Sequence, residues 1–326
     1  MLIGNVVLLQ HVVLQLLQAA GKVEERIGNI TAARNFYNDS LLIMPSAPTL
    51  VAYALLEIQH PLEKPCNQTK VSRLFEEAIL LDPRHGPAYN AYGNIEVRRG
   101  NVEKARRIFQ NGIKAHCRDL VSVYHGLAKL EISQGNVEEA RHLLQKGLKA
   151  AELKDGMMDN SKRKRELFLT HTLGMLELKS NRAAGARKVF TQGIQRHGND
   201  SQLLLGAAMS EVKLGNEQSA RILFEKSVNV DRKHAQAWQS WGVMEMLAGN
   251  YKVAKILFEC GIQNDPRHGA LWQAYGKKCH DRRNIFCSFL LLLLNNEVLL
   301  FSIATMESRL GNVDVARAYV SLSMMS

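Results

Sequence analysis

The stretch His-Ala-Gln-Ala-Trp-Gln-Ser-Trp-Gly-Val-Met-Glu-Met-Leu-Ala-Gly-Asn-Tyr-Lys-Val-Ala-Lys-Ile-Leu-Phe-Glu-Cys-Gly-Ile-Gln-Asn-Asp-Pro-Arg, residues 234–267, decides the fold. It holds two apolar-periodic segments on either side of Gly249-Asn250. Period 3.6 on both sides of a Gly-Asn turn predicts two antiparallel helices. Small residues at Gly242 and Ala254 let such helices approach closely, aromatics fill the gaps, and Pro266 stops the second helix.

The same frame recurs along the chain. Gly-Asn pairs fall at Gly28, Gly100, Gly135, Gly215, Gly249 and Gly311. A bulky residue follows each slot at a fixed distance: Tyr37, Phe75, Phe109, Leu144, Phe190, Phe224 and Phe258. A fixed period of about 34 residues is the mark of a helical-repeat array. Such an array grows by adding units, so the 326 residues need not be divided into separate domains.

Trp238-x2-Trp241-Gly242, Ala254-x3-Phe258 and Pro266 match the tetratricopeptide pattern, with Glu245 where that pattern has Tyr. The substitution is consistent: Glu24, Glu57, Glu96, Glu131, Glu177, Glu211, Glu245 and Glu307 occupy the slot. Ten residues beyond most of them stands a base, at Arg34, Arg106, Arg141, Arg187, Arg221, Lys255 and Arg317. Each Glu lies late in a first helix and each base early in the next, so the turn between them predicts a structural ion pair within each unit.

Aromatic, Glu, then Ala-Arg-x-x-Phe resembles the half-a-tetratricopeptide (HAT) repeat family of RNA-processing proteins, from about Leu14 to about Ala318. Gly-Asn-Val-Glu-Lys-Ala-Arg-Arg at 100–107 and the Asp-Pro-Arg-His-Gly linkers at 82–86 and 265–269 are most similar to the plastid branch, which matures and protects the psbB messenger RNA of photosystem II. The resemblance implies an all-α, right-handed superhelical solenoid of about eight repeats in one array, carrying an RNA-processing scaffold in the plastid. The rivals are a nuclear pre-mRNA splicing scaffold of the same class, which binds proteins, and a peptide-carboxylate clamp. The clamp fits Asn94 but not Asn90, Gly126, Phe168 or Thr172.

Three insertions break the period. Extra residues fall near 61–65 and near 155–166, the latter read as a loop carrying Lys162, Arg163, Lys164 and Arg165, a nuclear signal or phosphate contact. Residues 277–304 interrupt a repeat, and removing them restores the spacing; a retained intron or a true insertion accounts for them. The apolar run at 285–304 is interrupted by Asn295-Asn296-Glu297, which argues against a membrane span. The N-terminal residues have neither the charge pattern of a signal peptide nor that of a transit peptide.

The chain carries Lys+Arg 42 against Asp+Glu 31, a net charge of +11, which points to a polyanionic partner. No phosphate loop, metal-spaced Cys/His set or nucleophile–base pair occurs, so neither an enzyme, a metal, a cofactor nor a small-molecule substrate is expected. The five cysteines are scattered, as in a reducing compartment.

By the resemblance, the concave groove is lined by positions 2, 5, 9, 12 and 13 of each first helix, counted with Trp238 as 4. These slots hold Arg98, Lys129, Lys179 and Lys213, with Asn90, Asn94, His125, His171, Gln239 and Gln273 between them, and one acid, Glu25. Lys and Arg neutralise phosphates while amides and His bond bases or sugars. The expected partner is single-stranded RNA, with other RNA-processing proteins beside it.

Overall fold

A computed structural model describes the backbone at residues 2–61, 68–152, 160–278 and 317, and the side chains of these except at 2–11, 152, 160–162 and 275–278. Every regular element among them is an α-helix. In chain order they are α1 (Leu2–Ile27), α2 (Ile30–Ile43), α3 (Ala47–Gln59), α4 (Gln68–Leu81), α5 (Gly86–Arg98), α6 (Val102–Lys114), α7 (Leu120–Ser133) and α8 (Val137–Glu152). Then follow α9 (Asn160–Lys179), α10 (Ala183–His197), α11 (Ser201–Lys213), α12 (Glu217–Val230), α13 (Ala235–Leu247), α14 (Tyr251–Asn264) and α15 (Gly269–Lys278). Odd-numbered helices are first helices, even-numbered ones second helices. The all-α repeat architecture expected from the 34-residue period is the one observed.

The chain forms two compact units, residues 1–176 and 177–326. In the first, α3, α5 and α7 contact one another in sequence; in the second, α11, α13 and α15 do. The second helices among the described residues have no comparable mutual contact. Within each unit, first helices therefore line one side of the stack.

The turn inside each pair follows from glycine. At Gly28, Gly100, Gly135, Gly215 and Gly249 φ lies between 80° and 90°, the left-handed region that only glycine enters at no cost. The amide of Asn101 donates to the Glu96 carbonyl and that of Gly100 to Val97, the paired bonds of a Schellman cap. Asn136 to Glu131, Asn216 to Glu211 and Asn250 to Glu245 repeat the long bond. Asn181 takes the glycine's place at φ 60°, with Arg182 donating to the Glu177 carbonyl. The Asp-Pro-Arg-His linkers form turns in which Asp82 and Asp265 accept from the backbone two residues on, at 3.0 and 3.3 Å.

In each unit the core is built on aromatics from the second helices. Tyr37, Phe75, Phe109, Phe190, Phe224 and Phe258 are fully buried. Each ring lies where first helices carry small residues. A Cβ on Gly93 would lie 2.4 Å from Phe109, and one on Gly206 would lie 2.3 Å from Phe190. Phe75 stacks on Tyr92 of the next repeat at 5.2 Å, and Phe224 on Trp241 at 6.3 Å.

The tryptophans differ in depth. Trp272 is buried, but Trp238 and Trp241 are only half-buried. Their indole N–H groups need acceptors. Trp238 donates to the Arg232 carbonyl at 2.9 Å and Trp241 to Glu245 at 3.2 Å, which holds both rings at the edge of the core. The side chain of Tyr275, the extra residues at 62–65 and, beyond the backbone of 277–278, the interruption at 277–304 lie outside the described residues.

Candidate nucleic-acid interface

The repeated acid and base meet, but across repeats rather than within them. Arg34 bonds Glu57 at 3.0 Å, Arg106 bonds Glu131 at 2.7 Å, Arg187 bonds Glu211 at 2.8 Å and Arg221 bonds Glu245 at 2.7 Å. In each case a second helix reaches the first helix of the following repeat. The pairing expected within a unit is therefore corrected. The turn gives the Glu a nearer partner in its own repeat, the Asn that follows glycine. Asn101 bonds Glu96, Asn136 bonds Glu131, Asn216 bonds Glu211 and Asn250 bonds Glu245, at 2.6–2.7 Å.

At the one described junction where the base slot holds Ser72, Glu96 is served by Arg99 at 2.8 Å and approached by Lys104 at 3.9 Å. The effect on acidity follows the bonding. Arg106 holds the Glu131 carboxyl below the usual range against its burial, with help from Asn136. Burial pushes the Glu57 and Glu245 carboxyls up, but Arg34 with Lys70, and Arg221 with Asn250 and Trp241, bring both below normal.

With these arginines committed to packing, the expected ligand-binding bases stand apart. In the first unit Arg98 ends α5 and Lys129 lies on α7, both exposed. Asn94 Nδ2 donates to the Asn90 carbonyl at 2.8 Å and to its Oδ1 at 3.0 Å, so the two amides form one element on α5. His125 is half-buried on α7, with Nε2 3.0 Å from the Thr172 hydroxyl of α9. Burial, aided by Lys129, pushes its pKa down to about 4, so the ring is neutral at pH 7 and offers hydrogen bonds rather than charge. His171 lies half-buried on α9.

In the second unit Lys179 ends α9, exposed, and Lys213 ends α11. Lys213 Nζ donates to the Leu178 carbonyl at 2.6 Å, so one of its protons caps a helix terminus. Gln239 is half-buried on α13 and Gln273 exposed on α15. None of Arg98, Lys129, Lys179 and Lys213 is in an ion pair among the described residues.

The basic run is not a loop. Residues 162–165 lie in the first turns of α9, which begins at Asn160 and runs 20 residues. Of the extra length near 155–166, residues 160–166 are helix, and 155–159 lie outside the described residues. Arg165 Nη1 bonds Asp119 Oδ2 at 2.5 Å and braces the N-cap of α7. Arg163 and Lys164 are exposed, and the Lys162 side chain lies outside the described residues.

Among the described residues no group of three or more His, Cys, Asp or Glu is placed to hold a metal. No helix there is long and apolar enough to cross a membrane.

No protein-family model matches the sequence and no curated protein does. Solved structures do. The C-terminal part of a TPR repeat-containing protein from Cytophaga hutchinsonii is 13% identical, with a TM-score of 0.53, over 78% of this chain and 97% of that one. A tetratricopeptide repeat protein from Parabacteroides merdae is 13% identical at a TM-score of 0.51, over 81% and 97%. PilW, a type IV pilus biogenesis factor, is 15% identical at 0.51, over 70% and 97%. The chain has a tetratricopeptide-like fold. At these identities the likeness is one of architecture, that of stacked helical repeats. Sequence reasoning missed the seat of the repeated arginine.

Proposed function

We propose that the chain is a non-catalytic scaffold that binds single-stranded RNA on the faces of its first helices, in an RNA-processing role. The plastid compartment rests on the HAT resemblance alone. One observation carries the reading. The repeated arginines of the second helices are consumed by carboxylates, whereas Arg98, Lys129, Lys179 and Lys213 are exposed on first helices with no carboxylate partner among the described residues. The chain's net charge of +11 favours a polyanion. The Asn90–Asn94 pair, His125, His171, Gln239 and Gln273 add neutral hydrogen-bonding groups of the kind that meet bases and sugars.

A filter-binding titration with single-stranded RNA tests this. Log K should fall against log salt with a slope of about −3 for roughly four phosphates neutralised at about 0.7 each. The Arg98/Lys129/Lys179/Lys213→Glu variant should lose most of this binding. A triple variant that keeps Lys213, and with it the cap on α9, should lose nearly as much while melting with the parent. If the variants bind RNA as tightly as the parent, these bases do not hold RNA, and a protein-binding scaffold of the same repeat class replaces the proposal.

A further inference from the structure

The first helix of the first repeat is built to receive another helix. In the later repeats the slot eight residues before the Glu is buried: Ala88, Val123 and Leu203 are all 0% exposed. The slot just before the Glu is buried as well, with Leu56, Leu130 and Met244 at 0%, 2% and 5%. In α1 these slots hold Leu16 and Val23, which are 63% and 51% exposed. A terminal unit that closes a repeat array carries a polar outer face. That of α1 is apolar.

The register of the missing neighbour can be read from the junctions that are filled. Three contacts recur. The arginine of the preceding second helix bonds the Glu, as Arg106 does Glu131. The aromatic three residues on sits against the small residue five before that Glu, as Phe109 does at Gly126. The glycine three further on lies under the slot eight before the Glu, as Gly147 does under Leu169.

Helix α1 carries all three seats: Glu24 for the arginine, exposed Ala19 for the aromatic and Leu16 for the glycine. Glu24 has its backbone bond from Asn29 but no ion-pair partner among the described residues. Apolar contact and one acid at a fixed spacing specify a partner with an equally fixed spacing.

We propose that this face of α1 docks an amphipathic helix of sequence Arg-x-x-aromatic-x-x-Gly carried by a partner protein. A second copy of the chain is a poorer occupant. Its arginines Arg34, Arg106, Arg187 and Arg221 are already bound to its own glutamates.

The probe is a fluorescein-labelled peptide of residues 102–114, which holds Arg106, Phe109 and Gly112 at the required spacing. It is stapled between positions 107 and 111, both exposed in α6, because so short a helix does not hold its shape alone. Anisotropy is read on adding the full chain. Saturable binding is expected, weakened at least about tenfold by Leu16→Asp and by Glu24→Arg. The Glu24→Arg chain should regain binding to the peptide carrying Arg106→Glu. Leu16 is exposed and Glu24 half-exposed, so circular dichroism should show both variants folded. Absence of saturable binding, or binding indifferent to Leu16→Asp, overturns the proposal. So does self-association of the parent chain that Leu16→Asp abolishes, which would make the occupant a second copy.

Discussion

Arg106 on α6 grips Glu131 on α7 with two parallel bonds, Nε to Oε1 at 2.7 Å and Nη2 to Oε2 at 3.1 Å, while Asn136 holds Oε2 from the other side at 2.6 Å. Three elements thus converge on one buried carboxylate: the second helix of one repeat, the first helix of the next, and the turn that follows it. The Asn half of this arrangement closes the turn, and the Arg half fixes the stacking of neighbours.

The four junctions should not be equally sensitive. Arg106 is 25% exposed but Arg187 is 54% exposed. Arg106→Met leaves a buried carboxylate short of its counter-charge and should cost about 3 kcal/mol. Arg187 reaches an equally buried Glu211 from a more solvated position, so Arg187→Met should cost less, about 1–2 kcal/mol. Urea denaturation of the two variants side by side checks the order.

Adjacent arginines at the third repeat should separate cleanly. Arg99 bonds buried Glu96 and lies 3.5 Å from Ser72, whereas Arg98 is exposed. Arg99→Ala should lower the melting temperature and leave the salt slope of RNA binding unchanged. Arg98→Ala should flatten that slope by somewhat under one unit and leave melting unchanged.

Close packing gives a third expectation. Gly206→Ala places a methyl within 2.3 Å of the Phe190 ring, on two of its atoms. Overpacking of this kind costs about 1–3 kcal/mol. Combining it with Phe190→Leu should recover part of the loss, and a double-mutant cycle would show coupling of opposite sign to the single effects.

Acid should unfold the chain in two stages. His125 is held neutral with its pKa near 4, below its value of about 6.5 in an unfolded chain. A depressed histidine stabilises fully above the unfolded value, and that contribution is lost as pH falls from about 6.5 toward 4. The Glu57, Glu131 and Glu245 carboxyls are also depressed, so their contribution is present above the usual carboxylate range and lost below it. Melting measured from pH 8 to 3 should fall gently first, then steeply. His125→Asn should remove the gentle part, and Glu131→Gln should reduce the steep one.

The repeat was legible because its signals are local. Gly-Asn turns, small residues opposite aromatics and prolines after second helices each report on a few neighbouring residues. The partner of Arg106 was not legible in that way. Glu96 and Glu131 lie at comparable reach in any helical hairpin stack, and only three-dimensional packing selects between them. Arg165 shows the same limit. A basic run reads as solvated loop until α9 extends over it and Asp119 claims one of its charges. On the candidate face, sequence placed Arg98, Lys129 and Lys179 in exposed positions. It did not foresee that His125 would be neutral or that Lys213 would cap a helix.

The inter-repeat grip on Glu57, Glu131, Glu211 and Glu245 also sets how the molecule comes apart. A linear array held by nearest-neighbour terms melts from its weakest link outward rather than from its ends alone. At the Ser72 boundary the preceding second helix supplies no arginine, and the acid is satisfied from within the later repeat. Heat or tension would therefore find a seam between α4 and α5, and the stretches on either side could lose order at different thresholds.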